Sequence, residues 1–284
     1  DVGFDHYLIP RVHHCHTGQH YTEDGGPEFV PPGFSLDYET ERVEQFLHER
    51  RGVGDPFFLF FSISPPHCPL SDAPERYLRM YNPRDIPLRP NVDERLPLSD
   101  QEHWFNIYRW DFRYYNFRLP YTRDLPADYT LRRVIAEYYG LTSWVDDAVG
   151  RLMAALRANG LDEDTLVVFT SDHGDYLGSH GRVQKGDVHE ESVRVPLIFR
   201  WPSRLQPRVV DRQVAGLVDI LPSMLELAGQ PLPDHVHGRS LVPVLSGERS
   251  ALDSPHAFIE TSSGPAVRTC DHLYKLPFEA GTRK

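Results

Sequence analysis

The chain has 284 residues, 40% hydrophobic and 25% charged, the composition of a globular protein long enough to bury a sizeable core. No run of about 18 apolar residues occurs, which excludes a membrane-spanning helix, and a net charge of −11 argues against a general binder of nucleic acid or of an anionic membrane. Three scattered cysteines, Cys15, Cys68 and Cys270, make neither a disulfide framework nor a cysteine zinc site.

The chain opens at Asp1 without a methionine, and DVGFDHYLIP reads as the middle of a longer sequence. Localisation is therefore not legible. Residues 1–37, rich in His, Gly and Pro, read as loop. In 38–50, Val43, Phe46 and Leu47 fall at helical spacing and predict an amphipathic helix that ends at Gly52 and Gly54. The run FFLFFSIS at 57–64, between Pro56 and Pro65, predicts a strand buried on both faces. Residues 81–128 have no strong period and read as an inserted excursion carrying Trp104, Trp110, Tyr114 and Tyr115. One long helix is predicted over 129–159, with a kink at Gly140 and Gly160 just past its end. TLVVFTS at 165–171 predicts a second fully buried strand, followed by a polar loop from Asp172 to Asp187. VPLIFRW at 195–201 predicts a third strand, DILPSMLELA at 219–228 a helix capped by Asp219, and 257–263 with 265–276 a terminal strand pair. Buried strands alternating with helices point to an α/β fold with a largely parallel or mixed sheet. In such sheets functional loops lie beyond the carboxyl ends of strands, which singles out the loops after residue 64 and after residue 171.

The second of these loops reads SDHGDYLGSHGRVQKGD. If the chain turns at Gly174, Asp172 and His173 converge at the strand tip, where a carboxylate and an imidazole are credible metal ligands. The alternative is that Asp172 caps the turn and His173 bonds a backbone carbonyl. Lys185 follows. Of 30 lysines and arginines only Lys185, Lys275 and Lys284 are lysine, so a lysine here is either incidental or suits a chemistry that wants a compact point charge. After the first strand, Ser64-Pro65-Pro66-His67-Cys68-Pro69 presents His67 from a stiff backbone, as a donor to an anion, as a general acid or simply as a packed ring. Cys68 reads as a small buried hydrophobe. His13, His14, Cys15, His16 and His20 form a weak metal-binding pattern, and Asp175 and Asp187 read as solvated or capping residues.

The stretch TLVVFTSDHGDYLGSHGRVQKGDVHEESVRVPLIFRWP resembles the metal-and-lysine segment of type I sulfatases, in the alkaline phosphatase superfamily. FFLFFSISPPHCPL, TSWVDDAVGRLMAAL, VDILPSMLELAGQPLPDHVHGRSLVPVLSG and IETSSGPAVRTCDHLYKL resemble further family segments in the same order. The resemblance implies an alkaline-phosphatase/sulfatase-like mixed sheet flanked by helices over 1–250, incomplete at its N-terminus, and the start of a small C-terminal antiparallel sheet over 251–284. It implies that Asp172 and His173 are two ligands of one divalent cation, usually calcium. It further implies that Lys185 contacts the sulfate and its bridging oxygen, that His67 donates to the sulfate or the leaving oxygen, and that His180 lies on the substrate side. Family members also carry a strand ending in paired metal-binding aspartates, a Cys/Ser-x-Pro-x-Arg motif whose first residue becomes formylglycine, and a Gly-Lys-x-x-His segment. None of the three is in this sequence. The expectation is a metal-dependent sulfatase acting on a small-molecule or carbohydrate sulfate ester, with this chain alone inactive for want of the nucleophile. The alternatives are a phosphonate or phosphate ester hydrolase of the same superfamily, and a non-catalytic relative that still grips an anion. Substrate, oligomeric state and compartment are not legible.

Overall fold

The computed structural model describes residues 3–11, 15–92 and 130–276. Most of the expected excursion at 81–128, with its four named aromatics, lies outside the described residues, as do His13 and His14. The chain forms two compact units, one of Asp1–Asp162 with Leu177–Val183 and the other of Glu163–Tyr176 with Gln184–Lys284.

In the first unit β1 (Leu8–Pro10) and β2 (Tyr21–Glu23) pair antiparallel, Leu8 opposite Glu23. Then come α1 (Ser35–Glu49), the short α2 (Glu75–Leu78) and α3 (Leu131–Ala158). The apolar period of α3 is its buried face: Leu131, Val134, Ile135, Leu141, Trp144 and Ala148 all lie in the core. Thr130 caps it, its side chain accepting from the Arg133 amide at 3.3 Å, and Gly160 beyond it takes a left-handed φ of +71°. Trp144 is the hub of this core. Its ring stacks on Tyr77 at 5.9 Å and meets Phe34 edge-on at 5.6 Å, and its Nε1–H donates to Asp37 Oδ1 at 2.8 Å. One residue thus joins α1, α2 and α3.

One expectation is met and one needs correction here. α3 runs through Gly140 as one long helix, as predicted. The run at 57–64 is not a buried strand. It joins no ladder among the described residues, and Phe58 and Phe60 are 61% and 71% exposed. Part of the run does pack, Phe61 and Ile63 against the core and Phe57 against Phe46, while no described strand covers the side that carries Phe58 and Phe60.

In the second unit β3 (Val167–Thr170) pairs antiparallel with β4 (Leu197–Arg200), Val167 opposite Arg200 and Thr170 opposite Leu197. Both strands are shorter than predicted, and β3 is half-buried rather than fully buried. The short α4 (Glu190–Val193) precedes β4. α5 (Ile220–Leu227) follows a single 3-10 turn, where buried Asp219 accepts from the Gly216 amide at 2.9 Å and the Arg239 amide at 2.8 Å. After α6 (Val242–Leu245), the expected terminal pair is a three-stranded antiparallel sheet in the order β5 (Ala257–Thr261), β6 (Gly264–Arg268), β7 (Leu273–Lys275). Helices alternate with strands as the α/β reading requires, and the strand pairs among the described residues are antiparallel.

Candidate active site

β3 delivers the site residues. Side chains alternate along a strand, so two adjacent ligands need the strand to end first. It ends at Thr170, whose Oγ1 donates to the Pro196 carbonyl at 2.9 Å. The Ser171 hydroxyl then donates to the His173 carbonyl at 3.0 Å, which folds the chain into a tight turn. Gly174 closes the turn flat against α4. Its amide donates to the Ser192 carbonyl at 2.8 Å, and a Cβ there would collide with the Glu191 carbonyl. Only glycine permits that approach.

Within the turn Asp172 and His173 do converge. Asp172 Oδ1 accepts from the His173 amide at 2.8 Å, and Asp172 Oδ2 lies 3.3 Å from His173 Nε2. The other ring nitrogen, Nδ1, is 2.8 Å from the Gly174 carbonyl. A carbonyl can only accept, so Nδ1 carries the proton. In the neutral ring Nε2 then presents a lone pair to a carboxylate oxygen. Two electron-pair donors 3.3 Å apart are stable only around a shared proton or cation. Ligands about 2.4 Å from a calcium-sized ion on adjacent vertices sit at about that separation. The turn caps itself as the alternative reading expected, and it also leaves Asp172 Oδ2 and His173 Nε2 facing each other.

No third His, Cys, Asp or Glu completes a metal-binding group among the described residues. Asp172 and His173 fit one side of a divalent cation, whose coordination shell takes six or more donors when the ion is calcium. They do not amount to a site by themselves.

Lys185 lies in the same unit on an exposed loop, and its ammonium has no hydrogen bond or ion pair among the described residues. The loop is fastened next to it: the Gly186 amide donates to Ser192 Oγ at 3.2 Å. Ser192 thus holds the Asp172–Gly174 turn through its carbonyl and the Lys185 loop through its hydroxyl. Asp175 caps as expected, accepting from the Gln184 amide at 3.2 Å. Asp187 does not behave as expected. It is buried, and its Oδ1 takes the Lys275 ammonium at 2.7 Å, the Val188 amide at 2.9 Å and the Ser263 hydroxyl at 3.2 Å. Sequence reasoning missed Ser192 and the role of Asp187. The one available signal was that a second rare lysine, Lys275, had to sit somewhere.

His67 and His180 belong to the first unit. His67 Nδ1 donates to the Cys68 carbonyl at 2.8 Å, and the His67 carbonyl accepts from His16 Nε2 at 3.1 Å, so this ring is fixed in place. His180 has a left-handed φ of +58° and is gripped by Asn91, whose carbonyl accepts its amide at 3.2 Å and whose Nδ2 is 3.1 Å from its Nε2. The histidine-rich N-terminus does not gather round a metal in its described part. Cys15 bonds Gln19 at 3.3 Å, His16 is buried against Trp144, and His20 pairs with Glu28 at 2.7 Å.

The sulfatase family model matches residues 3–230. The chain is 28% identical to the N-acetylglucosamine-6-O-sulfatase of Bacteroides thetaiotaomicron, over 87% of this chain and 52% of that protein. Among solved structures it superposes with a TM-score of 0.76 on one from Bacteroides fragilis assigned as a sulfatase, at 24% identity, over 94% of this chain and 55% of that one. It also superposes on the phosphonate monoester hydrolase of Silicibacter pomeroyi, with a TM-score of 0.66 at 26% identity, over 88% of this chain and 54% of that one. The chain spans about half the length of the curated relatives it matches. The family uses a divalent metal and a formylglycine. By the family model over residues 3–230, the chain belongs to the sulfatase family, within the alkaline phosphatase superfamily.

Proposed function

We propose that this chain carries the anion-binding side of a metal-dependent sulfuric ester hydrolase. The observation that supports it most is the facing pair of Asp172 Oδ2 and His173 Nε2, 3.3 Å apart, in the same unit as a lysine that has no partner among the described residues. Asp172 and His173 would hold one face of a divalent cation, calcium in this reading, which when bound offsets the charge of the sulfate oxygens. Lys185 would place its ammonium on a sulfate oxygen and on the bridging oxygen, where negative charge develops as the ester bond breaks. His67 would give the leaving oxygen its proton, and His180 would touch the substrate. The N-acetylglucosamine-6-O-sulfatase relative favours a carbohydrate sulfate as substrate.

No Cys-x-Pro-x-Arg or Ser-x-Pro-x-Arg occurs in the sequence, so the isolated chain has no covalent nucleophile and is expected to turn over little or no ester. Calcium titration followed by calorimetry is the direct test of the ligand pair. Binding by the isolated chain should be weak, with a dissociation constant on the order of millimolar because two ligands replace a full shell. Asp172→Asn should abolish it. Unchanged binding in that variant would remove Asp172 from the site. Steady release of phenol from an aryl sulfate by the chain alone would contradict the assignment of missing covalent turnover. Likeness to a phosphonate monoester hydrolase favours a second reading, in which the same residues hold a phosphonate. Tighter binding of methylphosphonate than of sulfate, lost in Lys185→Ala, would select it. A non-catalytic anion binder remains a third expectation, distinguished by anion binding in a longer parent that shows no hydrolysis.

A further inference from the structure

We propose that Lys275 and Asp187 form a positioning clamp for Lys185, and that the small β5–β6–β7 sheet exists in part to set that lysine's place. The inference rests on the reading of Lys185 as the cation that meets the substrate anion. Three donors converge on one oxygen of buried Asp187, two residues after Lys185: the Lys275 ammonium from β7, the Ser263 hydroxyl from the β5–β6 turn, and the local Val188 amide. Asp187 and Lys275 side chains are 8% and 28% exposed. A carboxylate held that far from water is costly without a matching cation, and Lys275 supplies one at 2.7 Å.

A second tie repeats the arrangement. Arg268 of β6 donates through Nε to Glu190 of α4 at 2.6 Å. The span 187–190 is thus fastened to the sheet by two ion pairs. On its other side α4 is fastened to the ligand turn, through Ser192 to Gly174 and to Gly186. Lys185 and Gly186 form the short link between these anchors. Gly186 has φ +117°, a conformation in which the backbone swivels with little penalty, and open space surrounds the position where a Cβ would be. The carboxylate grip at Asp187, together with the Gly186 amide held on Ser192 Oγ, limits where the lysine just before them emerges. Without Lys275, Asp187 turns out to water and carries the swivel with it. Lys185 then leaves its register with Asp172 and His173 although none of the three has been altered.

The test uses the whole 284-residue chain as wild type, Lys275→Met, Lys275→Arg, Asp187→Asn and the reference variant Lys185→Ala. Amide hydrogen exchange over 184–189 is followed by mass spectrometry. Acetylation of Lys185 by acetic anhydride is followed with and without sodium sulfate. Lys275→Met and Asp187→Asn should speed exchange at 184–189 by about tenfold, leave exchange in α3 unchanged, and remove the protection that sulfate gives Lys185 in the wild type. Lys275→Arg keeps the charge and should restore both. Should Lys275→Met unfold the second unit, the double variant Asp187→Asn/Lys275→Met leaves no buried charge and carries the same expectations. Wild-type exchange and wild-type sulfate protection in the charge-removing variants would overturn the clamp. Sulfate that fails to protect Lys185 in the wild type, or protects the loop equally in Lys185→Ala, overturns the reading of Lys185 itself, and loop exchange then decides the clamp separately.

Discussion

Glu39 is a buried carboxyl of the first unit. It sits on the buried face of α1, where the Tyr21 hydroxyl donates to its Oε1 at 2.7 Å while Oε2 is buried without a hydrogen bond. Burial pushes its carboxyl up to about 7 from an ordinary 4.5, against the opposing pull of the Tyr21 hydrogen bond. Burial and the neighbouring Glu39 also push the Tyr21 hydroxyl well up, so it stays a donor throughout. The folded state therefore holds a proton that the unfolded chain releases between pH 4.5 and 7. Stability contributed by Glu39 is complete below pH 4.5 and lost as pH rises through about 7, by roughly 3 kcal/mol. Urea unfolding across that range should show the decline in the wild type and a flat profile in Glu39→Gln, and an equal decline in both would place the proton elsewhere. None of this was legible in the sequence, where Glu39 is one more polar residue of an amphipathic helix. What was legible around Asp172, His173 and Lys185 is local geometry, a strand tip that turns at Gly174, because a strand end and a turn glycine are local signals. Asp187 was misread because its partner lies 88 residues away.

Gly140 shows what a helical period reveals and what it leaves out. The helical period over 129–159 was strong, and α3 covers Leu131–Ala158 with that face inward. The glycine inside it suggested a kink. The structure shows that α2 crosses at that point: a Cβ on Gly140 would strike the Tyr77 carbonyl, a backbone atom that cannot rotate aside. Tyr77 is itself anchored by Trp144 and by its hydroxyl bond to Asp147 at 2.7 Å. Gly140→Ala raises helix propensity by about 1 kcal/mol yet forces two packed helices apart at a cost of about 1–3 kcal/mol. The expected result is a net loss of stability, and a thermal midpoint by circular dichroism checks it. A higher midpoint would mean that α2 yields freely and that the close approach is not what the glycine serves. Period reveals which face of a helix is buried; it does not reveal which other backbone comes close, since that depends on residues far away in the chain.

The strand predicted at 57–64 failed for a reason that belongs to the whole molecule. Composition and period describe what a segment would bury, whereas burial itself needs a neighbour. FFLFFSIS is apolar enough for the middle of a sheet, but among the described residues no strand lies beside it, and Phe60 stands 71% exposed. The fold class could be recognised through five family-like segments in order, because each keeps its own local pattern even where its neighbours differ. A solvent-facing apolar run without a ladder is a template for pairing with another strand, including a second copy of itself. The net charge of −11 opposes such association through repulsion, and salt screens that repulsion within about 10 Å at 0.1 M. The chain should therefore self-associate more as salt is added. Phe60→Thr places a strand-compatible β-branched residue at the position, removes the most exposed ring of the run and should suppress the association. Because that ring buries little in the monomer, the thermal midpoint should move by no more than about 0.5 kcal/mol equivalent. Light scattering across a salt series, read beside the midpoint, decides it. Association that is unchanged in Phe60→Thr would place the sticky surface elsewhere, and a large fall in midpoint would show that Phe60 is covered in solution.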